Sequence, residues 1–542
     1  MTKFALNELG RYIVALAWMT INTYLFVSSF IDLNTSKKNF YLRVIVKDGL
    51  AWARASAAVL NFNCMLILLT MCRNLLSSIR GLGCGHSVLR LLDKHVTFHK
   101  YIAYMICLQT AIHIVAHVFN VEFFISSYES DDLLVQRLNM FEDSVNDTYL
   151  NPIREPNAVP VVVLWKLASG VTGAVITLCL ILMVSSSTEL IRRSYFEVFW
   201  YSHHLFVIFY IGLILHGIEG IVRFQSNVED HDPEECSKNV TEWRNTPQCS
   251  TPPHFVPFGM NTWKWVVGPI FLYLIERFIR FYRSFQAVKI IKVVNHPSKV
   301  IEIQMKKAGF HHEAGQAPED DFFSVHIRIV GDWTGGLAKE FNGDGKEARS
   351  LADMPRLAVD GPFGTASSDV FKYPVVMCIG AGIGVTPFAS VLKSIWHQHN
   401  QNTVNPLVKK VYFFWICPDT NAFEWFTDLL QYLEDRMVAT GNADFLEYNI
   451  YLTRGWGPNM ARTIFLREDE EEDIITGLQQ KTKFGRPEWK GIFSQIARNH
   501  PRTNIGVFFC GPAVLSHQLH KEANEHSNDA EGVKFFYNKE NF

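Results

Sequence analysis

The chain has 542 residues, of which 48% are hydrophobic and 13% aromatic, and its 51 basic residues nearly balance its 53 acidic ones. A formal charge of -2 excludes a broadly cationic nucleic-acid binder, and the aromatic content excludes a disordered, low-complexity chain. The length predicts about three or four domain-sized units. Ten cysteines without a CxxC pair indicate neither a disulfide scaffold nor a zinc motif.

The hydrophobic residues are concentrated in the first half, where six stretches are long enough to span a bilayer, which takes about 20 residues each. These stretches are Tyr12–Phe30, Leu50–Cys72, Phe98–Val121, Val161–Ser185, Phe199–Gly217 and Trp263–Phe281. The first lacks a small-residue cleavage site, and five more follow, so we interpret it as a membrane helix rather than a signal peptide. The sequence therefore predicts a six-helix membrane domain followed by a soluble half.

The basic residues of the loops predict the orientation of these helices. They fall between the second and third spans and between the fourth and fifth, at Arg73, Arg80, Arg90, Lys94, Arg192 and Arg193. The positive-inside rule places these loops, and with them both termini, in the cytosol. A basic group in the first loop, at Lys37, Lys38, Arg43 and Lys47, opposes this orientation.

The loops predicted on the far side carry extracellular features. Asn146-Asp-Thr148 and Asn239-Val-Thr241 are glycosylation sequons. Cys236 and Cys249 lie in the same loop as Asn239, between the fifth and sixth spans, where an oxidising compartment permits a disulfide. Together with the basic loops, these features favour the cytosolic placement of the C-terminal half.

The periodicity of the sequence changes twice in the soluble half. Strand patterns with little helix occupy 287–370, at Ala287–Val294, Val300–Lys306, Phe322–Val330 and Arg356–Asp360, and predict an antiparallel barrel or sandwich. From Val375, five apolar strands alternate with helical patterns, which is typical of a parallel doubly wound sheet. We therefore predict three domains, at 1–283, 284–370 and 371–542.

Histidines within the predicted spans are functional candidates, because an ionisable side chain in a membrane is costly. They are His99, His113 and His117 in the third span and His203, His204 and His216 in the fifth. Fourteen residues of helix advance about 21 Å and bring His99 and His113 onto one face. Two tiers of histidines on two helices favour a pair of stacked haems with two imidazoles each, and such ligation favours electron transfer.

The partners in the fifth span are less clear from spacing alone. The inner haem could take His203 or His204, and the outer haem His216. On an ideal helix His203 and His216 are about 140° apart, so a distortion near Gly212, or different rotamers, must bring them to one face. Zinc is less favoured, because no cysteine or carboxylate joins the two tiers.

A dinucleotide-binding turn follows the first strand of the doubly wound pattern. The strand 375–379 runs into GAGIGVTP, which contains Gly380, Gly382, Gly384, Thr386 and Pro387, and a helix begins there. Glycines at a strand-to-helix turn let the backbone approach a pyrophosphate, and the helix N-terminus favours its charge. This arrangement predicts a dinucleotide site, with a tight turn that holds no ligand as the alternative.

Three further places complete the predicted nucleotide site. Cys510, Gly511 and Pro512 end another apolar strand, at the edge of the sheet where ligands bind. Arg486 is a candidate for the 2′-phosphate that distinguishes NADPH from NADH, although an exposed arginine is as often only a solvated charge. Phe542, an aromatic C-terminal residue, could cover a flavin ring.

Long runs of the sequence resemble the catalytic subunits of NADPH oxidases, the phagocyte flavocytochrome b heavy chain and its near paralogues. The resemblance extends from Asn7 to Phe542 and includes LNFNCMLILL (60–69), TFHKYIAYMICLQTAIH (97–113), IRRSYFEVFWYSHHLF (191–206), DGPFGTAS (360–367), GAGIGVTPFAS (380–390) and the terminal NKENF. It implies a ferredoxin-reductase-like cytosolic half and electron transfer from NADPH through FAD and two b-type haems to O₂, which yields superoxide.

The resemblance also implies roles for particular residues. It assigns His99 and His203 to the inner haem and His113 and His216 to the outer haem. It places Arg54 and His117 at the oxygen site beside the outer haem, and it assigns Arg328, Trp333, Thr334 and Phe542 to the flavin. It further implies a small membrane partner subunit, cytosolic organiser and activator subunits, a Rac-type GTPase, and a plasma, phagosomal or endosomal membrane.

The chain departs from the family pattern at the flavin. Gly315-Gln316 runs directly into Ala317, so that about twenty residues, with a strand and a His-Pro-Phe-Thr segment that cradles FAD, are missing from the pattern. Pro418 replaces a basic residue near the 2′-phosphate, and Arg454 is inserted. Two alternatives to a superoxide-generating oxidase stay open. One is a ferric-chelate reductase, which shares the membrane and flavin architecture; the other, suggested by the missing segment, is an impaired splice form or faulty gene model.

Overall fold

A computed structural model gives the fold of residues 7–540. Some residues within this range are not described, namely 83–91, 144–147, 154, 156, 239, 244–245, 297–298, 311–321, 342–353, 362, 364–365, 401–406, 419, 421–423, 443, 455–471 and 528–531. The chain divides into two compact units. The helical unit comprises Val14–Cys72 and Lys94–Glu276, and the sheet unit comprises Met1–Ile13, Arg73–Asp93 and Arg277–Phe542.

The first half of the chain is mainly helical. Its helices are α1 (Leu9–Thr35), α2 (Phe40–Val46), α3 (Gly49–Leu69), α4 (Arg73–Gly81), α5 (His95–Ser126), α6 (Leu133–Met140), α7 (Pro160–Lys166), α8 (Ala168–Ser186), α9 (Glu189–Ser194), α10 (Phe196–His203), α11 (Phe206–Leu215), α12 (Pro233–Cys236) and α13 (Thr262–Phe285). Two short antiparallel pairs accompany them, β1 (Glu142–Asp143) with β2 (Thr148–Tyr149) and β3 (Arg223–Gln225) with β4 (Phe255–Pro257).

Five of the predicted membrane spans are long and apolar enough to cross a bilayer in the part of the chain that the structure describes. They are Leu9–Thr35, Gly49–Leu69, His95–Glu129, Ala168–Ser186 and Phe196–Leu215. The sixth prediction, Trp263–Phe281, forms the 24-residue helix α13, but Lys264, Glu276 and Arg277 interrupt its apolar sequence. The chain is thus an integral membrane protein by its helices, and five rather than six of them meet the criteria for a span.

The fifth span is irregular at two places, and both change the directions of its histidines. Helix α10 ends at His203 and α11 begins at Phe206; between them His204 and Leu205 keep right-handed helical dihedral angles, but their N–H groups bond the carbonyls three residues back, at Tyr201 and Ser202, which tightens this turn. The predicted distortion near Gly212 is wrong, because Gly212 lies inside the continuous helix α11. His216 follows the end of α11 in an extended conformation, with ψ 127°. Ideal-helix angles therefore do not apply between the two histidines.

Loop segments of the helical unit pack together around the disulfide, with Tyr41, Trp243 and Phe255 in their core, and we call this region the cap. A disulfide joins Cys236 to Cys249, which confirms the pairing that the sequence permits. The buried rings of Tyr41, Trp243 and Phe255 pack with it in one hydrophobic core. The sequon residues Asn146 and Asn239 lie outside the described residues.

The sheet unit contains β5 (Val288–His296), β6 (Val300–Lys307), β7 (Phe323–Arg328), α14 (Asp332–Glu340), β8 (Val375–Ala381), α15 (Thr386–Asn400), β9 (Lys410–Cys417), α16 (Glu424–Ala439), β10 (Leu446–Leu452), β11 (Lys483–Phe484), α17 (Trp489–Asn499), β12 (Asn504–Cys510), α18 (Ala513–His526) and β13 (Lys534–Lys539). Strands β5, β6 and β7 form an antiparallel sheet in that order. Its inner face buries Ile301, Ile303 and Met305.

The predicted strand Arg356–Asp360 is wrong. These residues form no regular secondary structure, and polar side chains contact them where a neighbouring strand would otherwise pair. The Lys307 ammonium donates to the Val359 carbonyl, and the Asp360 carboxylate pairs with Arg280 at 2.9 Å. Polar contacts of this kind compete with ladder hydrogen bonds, which propensity alone cannot show.

The second sheet has six parallel strands in the order β11-β10-β9-β8-β12-β13. The five strands predicted from apolar runs are confirmed, and β11 was missed because two residues make no pattern. Phe413, Trp415 and Phe508 are fully buried in its core. The chain leaves β8 towards β9 and β10 and returns to β12 on the other side, so the strand order reverses between β8 and β12. Ligands of open parallel sheets bind at such a reversal.

Candidate functional site

Four predicted histidines meet in two pairs within the helical unit. The ring centroids of His99 and His203 are 6.3 Å apart, and those of His113 and His216 are 6.2 Å apart. The rings within each pair are tilted by 53° and 59°. Both pairs join α5 to the fifth span. The structure thus selects His203, and not His204, as the partner of His99.

Each of the four imidazoles is held at Nδ1 by a neighbouring helix. His113 Nδ1 donates to the Ala53 carbonyl at 2.9 Å, and His99 Nδ1 lies 3.0 Å from the Thr70 hydroxyl. On the other side, His216 Nδ1 lies 3.0 Å from the Thr172 hydroxyl. His203 Nδ1 lies 3.4 Å from the hydroxyl of Ser187. The histidines of α5 are therefore anchored on α3, and those of the fifth span are anchored at α8.

These two features fit a metal held between facing imidazoles. A metal–imidazole bond is about 2 Å and the nitrogen lies about 1 Å from its ring centroid, so two rings on opposite sides of one metal are about 6 Å apart. Metal-ligating histidines usually donate their other ring N–H to a carbonyl or another fixed acceptor, which orients the ring. Both requirements are met twice. The residues present therefore fit two haem groups, each with two axial imidazoles.

His204 has a different environment. Its side chain is exposed, and its Nδ1 donates to the carbonyl of Trp200 in its own helix turn at 2.7 Å. The ring also packs edge-on against Trp200, with the centroids 4.8 Å apart. It therefore faces away from the pairs.

The predicted oxygen-site residues surround the His113–His216 pair. The His117 ring packs edge-on against His113, with 4.6 Å between the centroids. The positive charge of Arg54 acts on His113, His117 and His216, and its guanidinium lies 4.5 Å above the Phe258 ring. No described carboxylate forms an ion pair with Arg54. A cation without such a partner can interact with a small anion.

In the sheet unit, the glycine turn brings the backbone of β8 and the following 3₁₀ turn (382–385) close to β12. A Cβ on Gly384 would lie 2.4 Å from the Cys510 carbonyl oxygen, and one on Gly380 would lie 2.7 Å from Val385 Cα. Gly382 adopts φ +57°, and the Trp415 indole donates to its carbonyl at 3.3 Å. Thr386 and Pro387 begin α15 directly after the turn. The close approach explains why side chains are excluded here.

Cys510, Gly511 and Pro512 lie across the reversal point from this turn. Cys510 pairs in register with Gly380, and Gly511 adopts φ +155°, with Ala381 Cβ 2.7 Å from where its own Cβ would be. Burial raises the pKa of the Cys510 thiol to about 12. The thiol is therefore protonated at neutral pH and does not act as a nucleophile. Its place at the carboxyl end of β12 suits contact with a bound ring.

Arg486 lies at the far edge of the same sheet. It is exposed and follows β11 through Gly485, which adopts φ +90°. Three strand intervals separate β11 from β8, which amounts to about 14 Å at 4.8 Å each. One extended dinucleotide could therefore reach from the glycine turn after β8 to Arg486 after β11.

The predicted flavin residues follow the antiparallel sheet. Arg328 ends β7 with an exposed side chain, and the Trp333 ring is 63% exposed on α14. The Thr334 hydroxyl accepts from the N–H groups of Val330 and Gly331, each at 3.0 Å, and thereby caps α14. Arg328 and Trp333 are available to an anionic and a planar group, so they fit a flavin nucleotide. Phe542 and the junction Gln316/Ala317 lie outside the described residues.

Sequence reasoning missed the hydroxyl residues that orient the histidines. Thr70, Thr172, Ser56 and Ser187 lie on α3 and α8 or directly after them. These residues stand out in the sequence as polar positions within or beside apolar spans. Their contact with the histidines could not be predicted, because a serine or threonine in a membrane helix often bonds only its own backbone.

Paired imidazoles between membrane helices, a small antiparallel sheet and a parallel nucleotide sheet define a membrane flavohaem oxidoreductase. Three families match in the same order. They are Ferric reductase like transmembrane component at 54–214, FAD-binding domain at 315–367 and Ferric reductase NAD binding domain at 373–524.

Full-length relatives agree with these families. NADPH oxidase 3 of Homo sapiens is 47% identical over 564 positions and covers 99% of each chain. NADPH oxidase 1 of Rattus norvegicus is 45% identical, with 100% of each chain covered. A superoxide-generating NADPH oxidase heavy chain of Dictyostelium discoideum is 37% identical over 100% of this chain and 98% of its own.

The chain belongs to the NADPH oxidase family. It is accordingly an oxidoreductase with a ferric-reductase-like membrane domain and a ferredoxin-reductase-like half, and its cofactors are FAD, NADPH and haem b. Among solved structures, ferredoxin-NADP+ reductase from Plasmodium falciparum is 12% identical, covering 46% of this chain and 95% of its own, with a TM-score of 0.28.

Proposed function

We propose that this chain moves electrons from NADPH across the membrane to O₂ and releases superoxide, with FAD and two b-type haems as carriers. The observation that carries the proposal is the presence of two histidine pairs with centroids 6.3 and 6.2 Å apart in one helical unit. When bound, FAD supplies the conversion of a two-electron hydride donor into single electrons, and bis-histidine haem supplies one-electron transfer. The rest of the function depends on how the chain positions these groups.

The anchored imidazoles hold the haem sites rigid. Because each Nδ1 is fixed by α3 or α8, the rings are already oriented, and they would hold the haems without turning. If His113 and His216 both bind the outer haem, its iron would have no free position, and O₂ would be reduced beside this pair, among residues of the chain.

Arg54 and His117 would serve that reduction. The charge of Arg54 acts on the His113–His216 pair, and no described carboxylate neutralises it. A fixed cation in a low-dielectric region stabilises a developing anion, and superoxide is such an anion. His117, in contact with His113, would complete the polar wall of this oxygen site.

The sheet unit would hold NADPH along the carboxyl edge of its parallel strands. The 380–387 turn and Gly511 give the pyrophosphate its close backbone approach, and Cys510 borders the nicotinamide. Arg486 would receive the 2′-phosphate at the β11 edge. Pro418, which stands where the family has a basic residue, leaves Arg486 as the principal cation for that group.

The proposed orientation places both termini in the cytosol. The N-terminal segment and Arg73–Asp93 belong to the same compact unit as the nucleotide sheet. The Asn7 amide donates to Asn524 and to the Phe535 carbonyl, at 2.7 and 3.1 Å, and Glu8 pairs with His520. These contacts support one common side for the three segments. A small membrane subunit, cytosolic activator subunits and a Rac-type GTPase remain proposals that rest on family resemblance.

The histidine assignment is tested by haem content. Replacing His113 or His203 with leucine should each remove about half of the haem per chain, because one of two tiers loses a ligand. His117→Leu and His204→Leu are matched controls, each a neighbour outside the pairs, and should keep the full haem content. Reduced-minus-oxidised spectra of the purified variants measure this. Full haem content in His113→Leu, or a loss in His204→Leu, would refute the assignment.

The reaction is tested against that of a ferric-chelate reductase with the same architecture. Reconstituted chain with NADPH, added FAD and, where needed, activator subunits should reduce cytochrome c in a manner that superoxide dismutase abolishes. Arg54→Gln should lower this rate at least tenfold while the haem spectrum is unchanged, since the cation acts on O₂ rather than on the haem ligands. Rapid ferric-chelate reduction without superoxide would favour the alternative.

A further inference from the structure

Three side chains from three neighbouring strands converge on the antiparallel sheet of the sheet unit. They are His296 at the end of β5, Glu302 on β6 and His326 on β7. Glu302 Oε2 lies 3.1 Å from His296 Nε2 and 3.6 Å from His326 Nε2. One nitrogen or oxygen from each residue lies within 4.8 Å of the others. None of the three belongs to the histidine pairs or to the glycine turn.

The strand register produces this convergence. Glu302 and His326 are direct cross-strand partners, and His296 pairs with Val300, two residues from Glu302. Because side chains alternate along a strand, Ile301 and Ile303 enter the core while Glu302 lies on the opposite face. The two imidazole rings stack with their centroids 5.9 Å apart and the carboxylate beside both.

A neighbouring side chain, Gln304, orients the Glu302 carboxylate. Gln304 Nε2 donates to Glu302 Oε1 at 2.8 Å, which leaves Oε2 directed at the two imidazoles. The side chains of His296, Glu302 and His326 are 11%, 13% and 15% exposed. They are therefore shielded from bulk water and still reachable from it. A hydrogen bond that fixes a ligand carboxylate is typical of metal sites.

We propose that His296, Glu302 and His326 bind one zinc ion. Two imidazole nitrogens and one carboxylate oxygen are a donor set of zinc sites with an open fourth position, whereas Mg²⁺ and Ca²⁺ require mainly oxygen ligands. Bonds of about 2.0–2.2 Å in a tetrahedral site place ligand atoms about 3.4 Å apart. The two nitrogen–oxygen distances already match this value. The ligand nitrogens of His296 and His326 lie within 4.8 Å of each other, so they need to approach by at most about 1.4 Å. Water would occupy the fourth position.

Zinc would cross-link the three strands, since each strand supplies one ligand. The antiparallel sheet would then resist separation of β5 and β7 from β6 more strongly than it does through backbone hydrogen bonds alone. The bound form is expected to unfold at a higher temperature than the zinc-free form, because the ion binds only the folded arrangement.

Zinc titration of the full-length chain in detergent, after treatment with a chelator, tests the proposal. Competition with a chromogenic chelator should show one site per chain, and X-ray absorption at the zinc edge should show nitrogen and oxygen neighbours at about 2.0–2.2 Å without sulfur. His296→Gln and His326→Gln should each abolish this site. Gln304→Met should weaken binding about tenfold through the lost orientation of Glu302. The exposed His517→Gln, on α18, is the control and should bind as the parent does.

Three results would overturn the proposal: no stoichiometric zinc, sulfur among its neighbours, or equal binding by the parent and both histidine variants. Without stoichiometric zinc, the three residues would be only a hydrogen-bonded polar cluster. Sulfur neighbours, or equal binding by the parent and both variants, would show that zinc binds elsewhere. Thermal midpoints without zinc show whether each variant is folded. If a histidine variant does not fold, the Gln304→Met affinity and the absorption spectrum of the parent still decide, because neither depends on that variant.

Discussion

At the scale of single residues, close backbone approach distinguishes the nucleotide turn from an ordinary glycine-rich loop. Gly384 has no room for a methyl group, because the Cys510 carbonyl oxygen and Sγ would lie 2.4 and 3.0 Å from it. The obstacle on the carbonyl side is backbone, which cannot turn away as a flexible side chain would. The turn and the Cys510 strand end are therefore tightly coupled in position.

Gly384→Ala should force this turn away from β12 and raise the KM for NADPH at least tenfold. The reason is that the pyrophosphate depends on backbone N–H groups whose positions the added methyl would shift. Steady-state kinetics of the reconstituted chain measure the effect, with haem content as a check on folding. Gly259→Ala, at a position with open space around it, is the control. An unchanged KM would show that the turn does not hold the nucleotide.

At the scale of elements, a histidine lies at the centre of the disulfide-linked cap. His231 is fully buried, its Nδ1 donates to the Thr251 carbonyl at 2.9 Å, and its Nε2 accepts from the Tyr41 hydroxyl at 2.6 Å. Burial, with the nearby charge of Arg137, lowers the pKa of His231 below its ordinary 6.5, although the Thr251 hydrogen bond and Asp232 oppose the shift. The ring is thus neutral in the folded cap.

This pKa predicts the pH dependence of the cap. Because the folded pKa is depressed, the unfolded state binds more protons as the pH falls below about 6.5, so the stabilisation is present above that value and is lost below it. The thermal midpoint should fall between about pH 7.5 and about pH 5, and His231→Gln should flatten this dependence. His254→Gln, in the same region, is the control and should keep the parental slope. A parental slope in His231→Gln would refute the prediction.

The sequence predicted elements best where one face or both faces of an element are uniformly apolar. The five strands from Val375 onward and the long helix around His113 belong to this class. It failed where contacts between distant residues decide: Lys307 and Arg280 bond Val359 and Asp360 in the predicted strand Arg356–Asp360. It also could not choose between His203 and His204, because a helical period assumes a regular helix, and the turn at His204–Leu205 is tightened.

At the scale of the whole molecule, the two histidine pairs and the glycine turn lie among the described residues, whereas the flavin region is described only in part. The alignment to NADPH oxidase 3 spans 564 positions, more than the 542 residues of this chain, so some positions of the relative have no counterpart here. Arg328 and Trp333, both exposed, are described side chains that we propose for FAD. In the proposed function, reduction of the haems by NADPH would depend on how well FAD is held.

We therefore expect the purified chain to retain haem but lose FAD. The FAD-to-haem ratio after gel filtration should be well below one FAD for two haems, and added FAD should restore part of the NADPH-dependent haem reduction. Inserting the missing family segment between Gln316 and Ala317 should restore stoichiometric FAD, while a Gly-Ser linker of the same length should not. Stoichiometric FAD in the unaltered chain would contradict the expectation. Transcript sequencing across that junction establishes which form the cell makes.

The tightened turn at His204–Leu205 has a consequence for how such proteins are recognised. A regular helix ties the distance between two ligands to the direction in which each one points, and a tightened turn together with the extended His216 changes that relation. A pattern search that demands equal spacing of the histidines on both helices would reject this chain, since one helix uses an interval of fourteen residues and the other thirteen. Search patterns for stacked haem sites should therefore fix the interval on the regular helix α5 and leave the interval on the fifth span variable.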